Sequence, residues 1–156
     1  MRIHLIFVGK TAFRDIESAI ERYMERLRHY CPVEIHYIKA EKITAAVGDR
    51  LVRERESERI LKLAGRQGYL IVWDQRGRDL DSPGLSKLID KLTASAIPDL
   101  WMAVGGPVGL SSQLLQSARD VLSLSKMTLP HDLARLVLVE QLYRALTIIK
   151  GEPYNR

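Results

Sequence analysis

Three short segments hold the residues best able to do chemistry in this chain. The first lies in the stretch MAVGGPVGLSSQLL, Met102 to Leu115. There Gly105, Gly106 and Gly109 bare the backbone, so amides and carbonyls can approach a flat ligand with no Cβ in the way. WDQRGRDL, starting at Trp73, is rich in polar groups, and LSLSKMTLPH, starting at Leu122, in hydroxyls. Each segment follows a predicted strand, and in parallel α/β sheets ligands bind outside the carboxyl ends of strands. No Gly-Lys-Ser/Thr closes the glycine loop, and its glycines run G-G-x-x-G, so it is neither a Walker cradle nor a dinucleotide fingerprint. A Gly-Gly-Pro loop alone says only "turn". Three such loops at one sheet edge, beside a helix suited to dimerisation, point to a cofactor pocket.

Other chemistries fare worse. His4, His29, His36 and His131 lack metal-ligand spacing, and a metal centre is not expected. His4 and His36 fall in predicted strands and read as packed or half-exposed histidines. Ser123 and Ser125 have no G-x-S-x-G context and read as loop hydroxyls. The lone cysteine, Cys31, excludes an internal disulfide or a multi-cysteine zinc site and reads as a small buried hydrophobe. Glu140 and Arg144 have the i, i+4 spacing of a simple helix pair.

The elements that must carry these loops follow from periodicity. RIHLIFVG is a buried strand ended by Gly9. Phe13, Ile16, Ile20, Tyr23, Leu27 and Tyr30 form an amphipathic helical stripe that stops before Pro32. VEIHYIKA alternates as a strand with one wetter face. Val47 to Ala64, dense in Arg and Glu, reads as a solvent-facing helix stopped by Gly65. YLIVWD is a third strand. SPGLSKLIDKLTAS opens with Ser82 as cap and Pro83 as first helical residue. DLWMAVGG is a fourth strand, SSQLLQSARD a short helix and VLSLS a brief fifth strand. HDLARLVLVEQLYRALTIIKG closes the chain as a long helix ending at Gly151. It is apolar nearly all round, and such a helix needs burial on more than one side. A subunit interface is the favoured second partner; the alternative is a helix central to its own monomer. This alternation predicts a mostly parallel sheet with helices on both faces.

Bulk properties agree with one folded domain of ordinary size. The 156 residues suit one domain, with 46% hydrophobic and 28% charged residues. No apolar run reaches the roughly 18 residues of a membrane span, and the N-terminus reads as a strand rather than a signal peptide. A cytoplasmic protein is expected. The net charge of +5 makes an anionic partner plausible. The excess is spread along the chain, however, so it is weak evidence for nucleic acid. Arg50, Arg53, Arg55 and Arg59 could meet RNA, but nearby acids make a solvated face an equal reading.

Taken together, GGPVGL, LSLSKMTLPHDLARLVLVEQLYRA and the terminal GEPYNR closely resemble one bacterial family. Its members are ribosomal large-subunit methyltransferases that modify pseudouridine at ring nitrogen 3, within the SPOUT class of S-adenosylmethionine-dependent enzymes. The resemblance runs over essentially the whole chain, residues 1–156, as a single domain. It implies an α/β sheet with a C-terminal trefoil knot, a feature the rule against knotted chains would never suggest. It also implies a homodimer acting on ribosomal RNA in the assembled ribosome, without membrane or metal. S-adenosylmethionine would lie bent between Trp73, Gly105 and the segment Leu124, Ser125, Lys126, Met127, Thr128 and Leu129.

Methylation of the ring nitrogen requires loss of its imino proton. On the same resemblance, His131, Arg135, Arg144 and the tail Tyr154, Asn155 and Arg156 are the candidate residues, the tail reaching the partner's pocket. Asn155 stands where the family usually has histidine, and asparagine cannot take up a proton at neutral pH. Either the tail only positions the base, which is the favoured reading, or this protein is slow. The alternatives are a catalytically weakened ribosome-binding dimer, or a SPOUT methyltransferase with another RNA substrate.

Overall fold

The computed structural model describes residues 1–44, 47–65 and 68–154, together with the backbone of Asn155. Arg156, one of the tail candidates, lies outside the described residues, as does the side chain of Asn155.

The run after Arg2, apolar except for His4, makes β1 (Arg2–Val8) a strand buried on both faces. It pairs in parallel with β2 (Val33–Ile38) on one side and β4 (Asp99–Val104) on the other. β3 (Tyr69–Asp79) and β5 (Asp120–Ser123) complete a parallel sheet ordered β2-β1-β4-β3-β5. Parallel pairing puts every carboxyl end on one edge, where the three polar segments meet.

Side-chain alternation gives the sheet two apolar faces. Ile3, Leu5 and Phe7 pack with α1 (Arg14–Leu27), α3 (Ser82–Ala94) and α5 (His131–Ile149). Ile6, Val8, Val72 and Ala103 pack with α2 (Asp49–Ala64) and α4 (Ser112–Ser117). α5 rests against both α1 and α3, which accounts for its broad apolar surface. Even so, Leu133 stays 41% exposed, and Leu136, Val137, Ile148 and Ile149 are only partly covered. A short 3-10 turn, Pro153–Asn155, follows.

Several sequence expectations need correction. Phe13 is the exposed N-cap of α1 rather than part of its buried stripe, and Tyr30 lies beyond the helix end. Asp81, not Ser82, caps α3, accepting from the Gly84 N–H at 2.7 Å, while the Ser82 hydroxyl donates to Gln141 at 2.6 Å. α2 is not simply a solvated face, because Val52, Glu56, Ser57 and Ile60 are buried. Lastly, WDQRGRD is largely strand. Leu122 of β5 pairs with Trp73 and again with Arg78, across a break in the register of β3. The intervening backbone runs hard against β5: a Cβ on Gly77 would lie 2.5 Å from the Leu122 carbonyl carbon. Tertiary pairing of this kind leaves no local pattern to read.

Candidate active site

At the carboxyl ends of β3, β4 and β5 lies a cavity of about 640 Å³, walled by Trp73–Gln75, Val104–Leu110, Leu124–Ser125 and Met127–His131, with Ala134 behind. This is within the usual size of small-molecule sites, about 300–1,000 Å³. Apolar Val104, Leu110, Leu124 and Leu129 alternate in its walls with backbone and hydroxyl groups.

The glycine loop is braced by three hydrogen bonds, two from α2 and one from β3. Arg53 of α2 donates through Nε to the Val108 carbonyl at 2.9 Å, and the Ser111 N–H donates to Ser57 at 2.9 Å. From β3, Arg76 donates to the Leu110 carbonyl at 3.2 Å. Arg76 is itself fixed by Asp74, whose carboxylate accepts from its Nε at 2.7 Å, its Nη2 at 2.9 Å and its backbone N–H at 3.0 Å. Burial opposes the charge on Asp74, but the Arg76 hydrogen bonds, with the Arg76 and Arg53 charges, outweigh it and hold the carboxyl below its usual range.

Glycines 105 and 106 prove to be packing positions. A Cβ on Gly105 would lie 2.9 Å from the Leu110 Cγ and Cδ2, so its absence makes room for that side chain directly and for a ligand only through it. A Cβ on Gly106 would meet the Glu56 carboxylate at 3.0 Å and Val8 at 3.1 Å. Burial pushes the Glu56 carboxyl up, partly offset by the Glu41 N–H that it accepts.

The third wall is self-ordered. The Ser123 hydroxyl donates to the Ser125 carbonyl at 2.9 Å, the Met127 N–H donates to the Ser125 hydroxyl at 3.0 Å, and the Thr128 hydroxyl donates to Gln75 at 3.3 Å. Ser123, the last residue of β5, and Ser125 thus both hydrogen-bond within this segment. Met127 is 75% exposed at the rim. Lys126 lies outside the lining and approaches Asp79 at 3.6 Å. α5 begins immediately afterwards with no side-chain cap, and His131 at its first position lies in the cavity wall, 3.4 Å from Asp132.

The structure separates the remaining candidates. Arg135 is fully buried, donating to the Val8 carbonyl and to Thr11, pairing with Asp132 at 3.3 Å and covering the Phe7 ring. It is outside the cavity lining and braces the first βα loop. Arg144 pairs with Glu140 at 2.6 Å and lies 4.8 Å over the Tyr154 ring, whose hydroxyl donates to Glu140 at 3.2 Å. Burial, and then the hydrogen bond with Tyr23, raises the Tyr154 phenol. This cluster stands at the far end of α5, roughly 20 Å from His131 at 1.5 Å per residue.

Asp74, Gln75, Val108 and Pro130 are cavity residues that were not singled out in the sequence. Asp74 and Arg76 did carry a signal, since strand residues two apart share a face.

A bound adenosyl group suits this cavity on two observations. Trp73 is 6% exposed and lines it, yet its indole N–H has no partner among the described residues, leaving a buried donor to be satisfied. Two of the three walls are also apolar residues carried on backbone-rich turns. A parallel sheet with a pocket built from the middle of β3 and the loops after β4 and β5 defines the class: residues 1–155 match the family model described as "Predicted SPOUT methyltransferase", and the chain belongs to that family.

Full-length relatives sharpen the likeness. The chain is 54% identical over 157 residues, covering 100% of both chains, to a protein of Syntrophobacter fumaroxidans named "Ribosomal RNA large subunit methyltransferase H". Proteins with the same name are 41% identical over 155 residues in a Geobacter species, covering 99% of each chain, and 38% identical over 159 residues in Halothermothrix orenii, covering 100% of each.

Proposed function

We propose that this chain is a single-domain, S-adenosylmethionine-dependent methyltransferase of large-subunit ribosomal RNA, working as a cytoplasmic homodimer on ring nitrogen 3 of a pseudouridine. The observation that carries this reading is the cavity itself, formed by the same three segments that the family likeness marks for the cofactor. Among the described residues, no helix is long and apolar enough to cross a membrane.

When bound, S-adenosylmethionine supplies a methyl group already activated on a sulfonium. The residues placed to hold it are Trp73, the loop Gly105–Leu110, and Leu124, Ser125, Met127, Thr128 and Leu129. The side chain of Lys126 takes no direct part. On the substrate side, the ring nitrogen must shed a proton. Asp74 and His131 are the described titratable side chains at the cavity wall; the Asp74 carboxylate is engaged by Arg76, so His131 is the group that takes or holds the proton, and the uncapped first turn of α5 favours the anion left behind. Positioning the nitrogen for in-line attack supplies much of the remaining rate.

Arg144 and Tyr154 cannot serve the same ring as His131 within one chain. A second copy that lays its tail over the cavity brings them there, and the partly uncovered apolar residues of α5 supply surface for that pairing. The knotted C-terminal path that the family implies is part of this proposal; at Gly77 the backbone of β3 lies close against that of β5.

The test is methyl transfer from labelled S-adenosylmethionine to large subunits lacking the modification, with the product nucleotide mapped by mass spectrometry. An N3-methylated pseudouridine is expected; absence of transfer overturns the proposal. Asn155→His should change the rate by less than about tenfold if the tail only positions the base. A gain of several orders of magnitude would favour the weakened-enzyme reading.

A further inference from the structure

The fold assembles a second polar cluster far from the cavity, on the α2 side of the sheet near the amino ends of the strands. β1 and β2 pair with His4 opposite Glu34, and His36 lies two residues further along the same face of β2. His4 Nδ1 and His36 Nε2 are 3.0 Å apart, and Glu34 Oε2 is 3.8 Å from His36 Nε2. The other nitrogen of His4, Nε2, donates to Asp99 at 3.0 Å. Trp101 stacks on the His4 ring at 4.0 Å with an interplanar angle of 12°. The His4 side chain is 8% exposed, whereas His36 and Glu34 are 27% and 56% exposed.

We propose that His4, His36 and Glu34 form a binding site for a borderline divalent transition-metal ion, with Zn²⁺ as the reference. The candidate ligand atoms all lie within 4.8 Å of one another. A tetrahedral zinc site with Zn–N near 2.05 Å sets its nitrogens about 3.3 Å apart, so the two imidazoles need only part by a few tenths of an ångström. Two imidazoles and one carboxylate suit zinc, nickel or copper better than magnesium or calcium. Asp99 is the outer carboxylate that such sites use: by accepting from Nε2–H it directs the Nδ1 lone pair of His4 toward the ion. His36 moves its proton to Nδ1 when Nε2 ligates, so neither ring need ionise. Solvent can fill the fourth position on the exposed side. The ligands sit on two rigid neighbouring strands, and β2 is an edge strand held to the sheet by β1 alone. The ion would clip that edge in place. Neither the methyl-transfer cavity nor the dimer reading is needed for this inference.

The sequence could not show the site. Its histidines are 32 residues apart and become neighbours only through strand register.

The test titrates the full-length chain, stripped by a chelator, with Zn²⁺ in a calorimeter and with Co²⁺ by visible absorption. One ion per chain is expected, with the strong ligand-field bands of tetrahedral Co²⁺. The solvent-accessible ligands can be changed without opening the core. His36→Gln and Glu34→Gln should each weaken binding tenfold or more, Asp99→Asn should weaken it by about 10- to 100-fold, and His29→Gln should leave it unchanged. No stoichiometric binding by the wild type, or binding that survives His36→Gln, overturns the proposal.

Discussion

Gly105 separates two explanations of the glycine loop. Sequence reading makes it a point of close ligand approach; the structure fills the missing side-chain space with Leu110. Gly105→Ala sets a methyl 2.9 Å from two Leu110 carbons, closer than real contacts allow. Leu110 is 2% exposed and lines the cavity, so its way out is into the ligand space. Overpacking of this kind costs about 1–3 kcal/mol. Leu110→Ala alone should cost roughly 2–5 kcal/mol through the cavity it leaves. The added methyl partly fills that void, so the double variant should be more stable than the sum of the single changes by about 1–3 kcal/mol. Urea unfolding of the four proteins measures this coupling. Calorimetric titration with S-adenosylmethionine should show Gly105→Ala losing affinity in the wild-type background and causing no further loss in the Leu110→Ala background. Additive losses in both assays would refute the packing argument and return Gly105 to direct ligand contact.

Three other outcomes follow from the same contacts. Gly77→Ala drives a Cβ to 2.5 Å from β5 backbone, where no side chain can yield, and should lower urea stability by about 3 kcal/mol or more. Arg135→Met removes the guanidinium paired with the buried Asp132 carboxylate, which keeps the Ala12 N–H at 2.8 Å, and should cost roughly 3–5 kcal/mol, while calorimetric affinity for the methyl donor stays within about twofold of the wild type; a loss of activity without loss of stability would instead make Arg135 catalytic. Asp74 has its native carboxyl pKa lowered below the unfolded value, so its stabilising contribution is complete above the ordinary carboxylate range and disappears as pH falls through the native value. The stability gap between wild type and Asp74→Asn, followed by urea unfolding, should therefore narrow as pH drops below about 4.

The alternating strands and helices were legible because a sheet buried on both faces writes itself as short apolar runs, and its helices as three-four stripes. The meeting of the three polar segments around one cavity was legible too, since parallel pairing places them all at one edge. What escaped reading depends on register or on distant partners. WDQRGRD looks like a loop until β5 pairs with both of its ends. Arg135 looks catalytic from its place in the motif, yet it is spent on Val8, Thr11 and Asp132. Ser82 has the cap composition, but Asp81 has the reach to the Gly84 N–H. His4 and His36 read as isolated residues because no local spacing announces a pair made across two strands. Arg144 and Tyr154 were marked by likeness alone, and only the length of α5 reveals that they cannot join His131 in one chain.

The central claim is that the three segments at the sheet's carboxyl edge hold the methyl donor. Crystals of the full-length chain grown with S-adenosylhomocysteine test it most directly. The account predicts the adenosyl group between Trp73, the Gly105–Leu110 turn and Leu124–Leu129, with the Trp73 indole N–H engaged. Ligand density lodged elsewhere on the molecule, or a cavity that stays closed to ligand at saturating concentration, would contradict it.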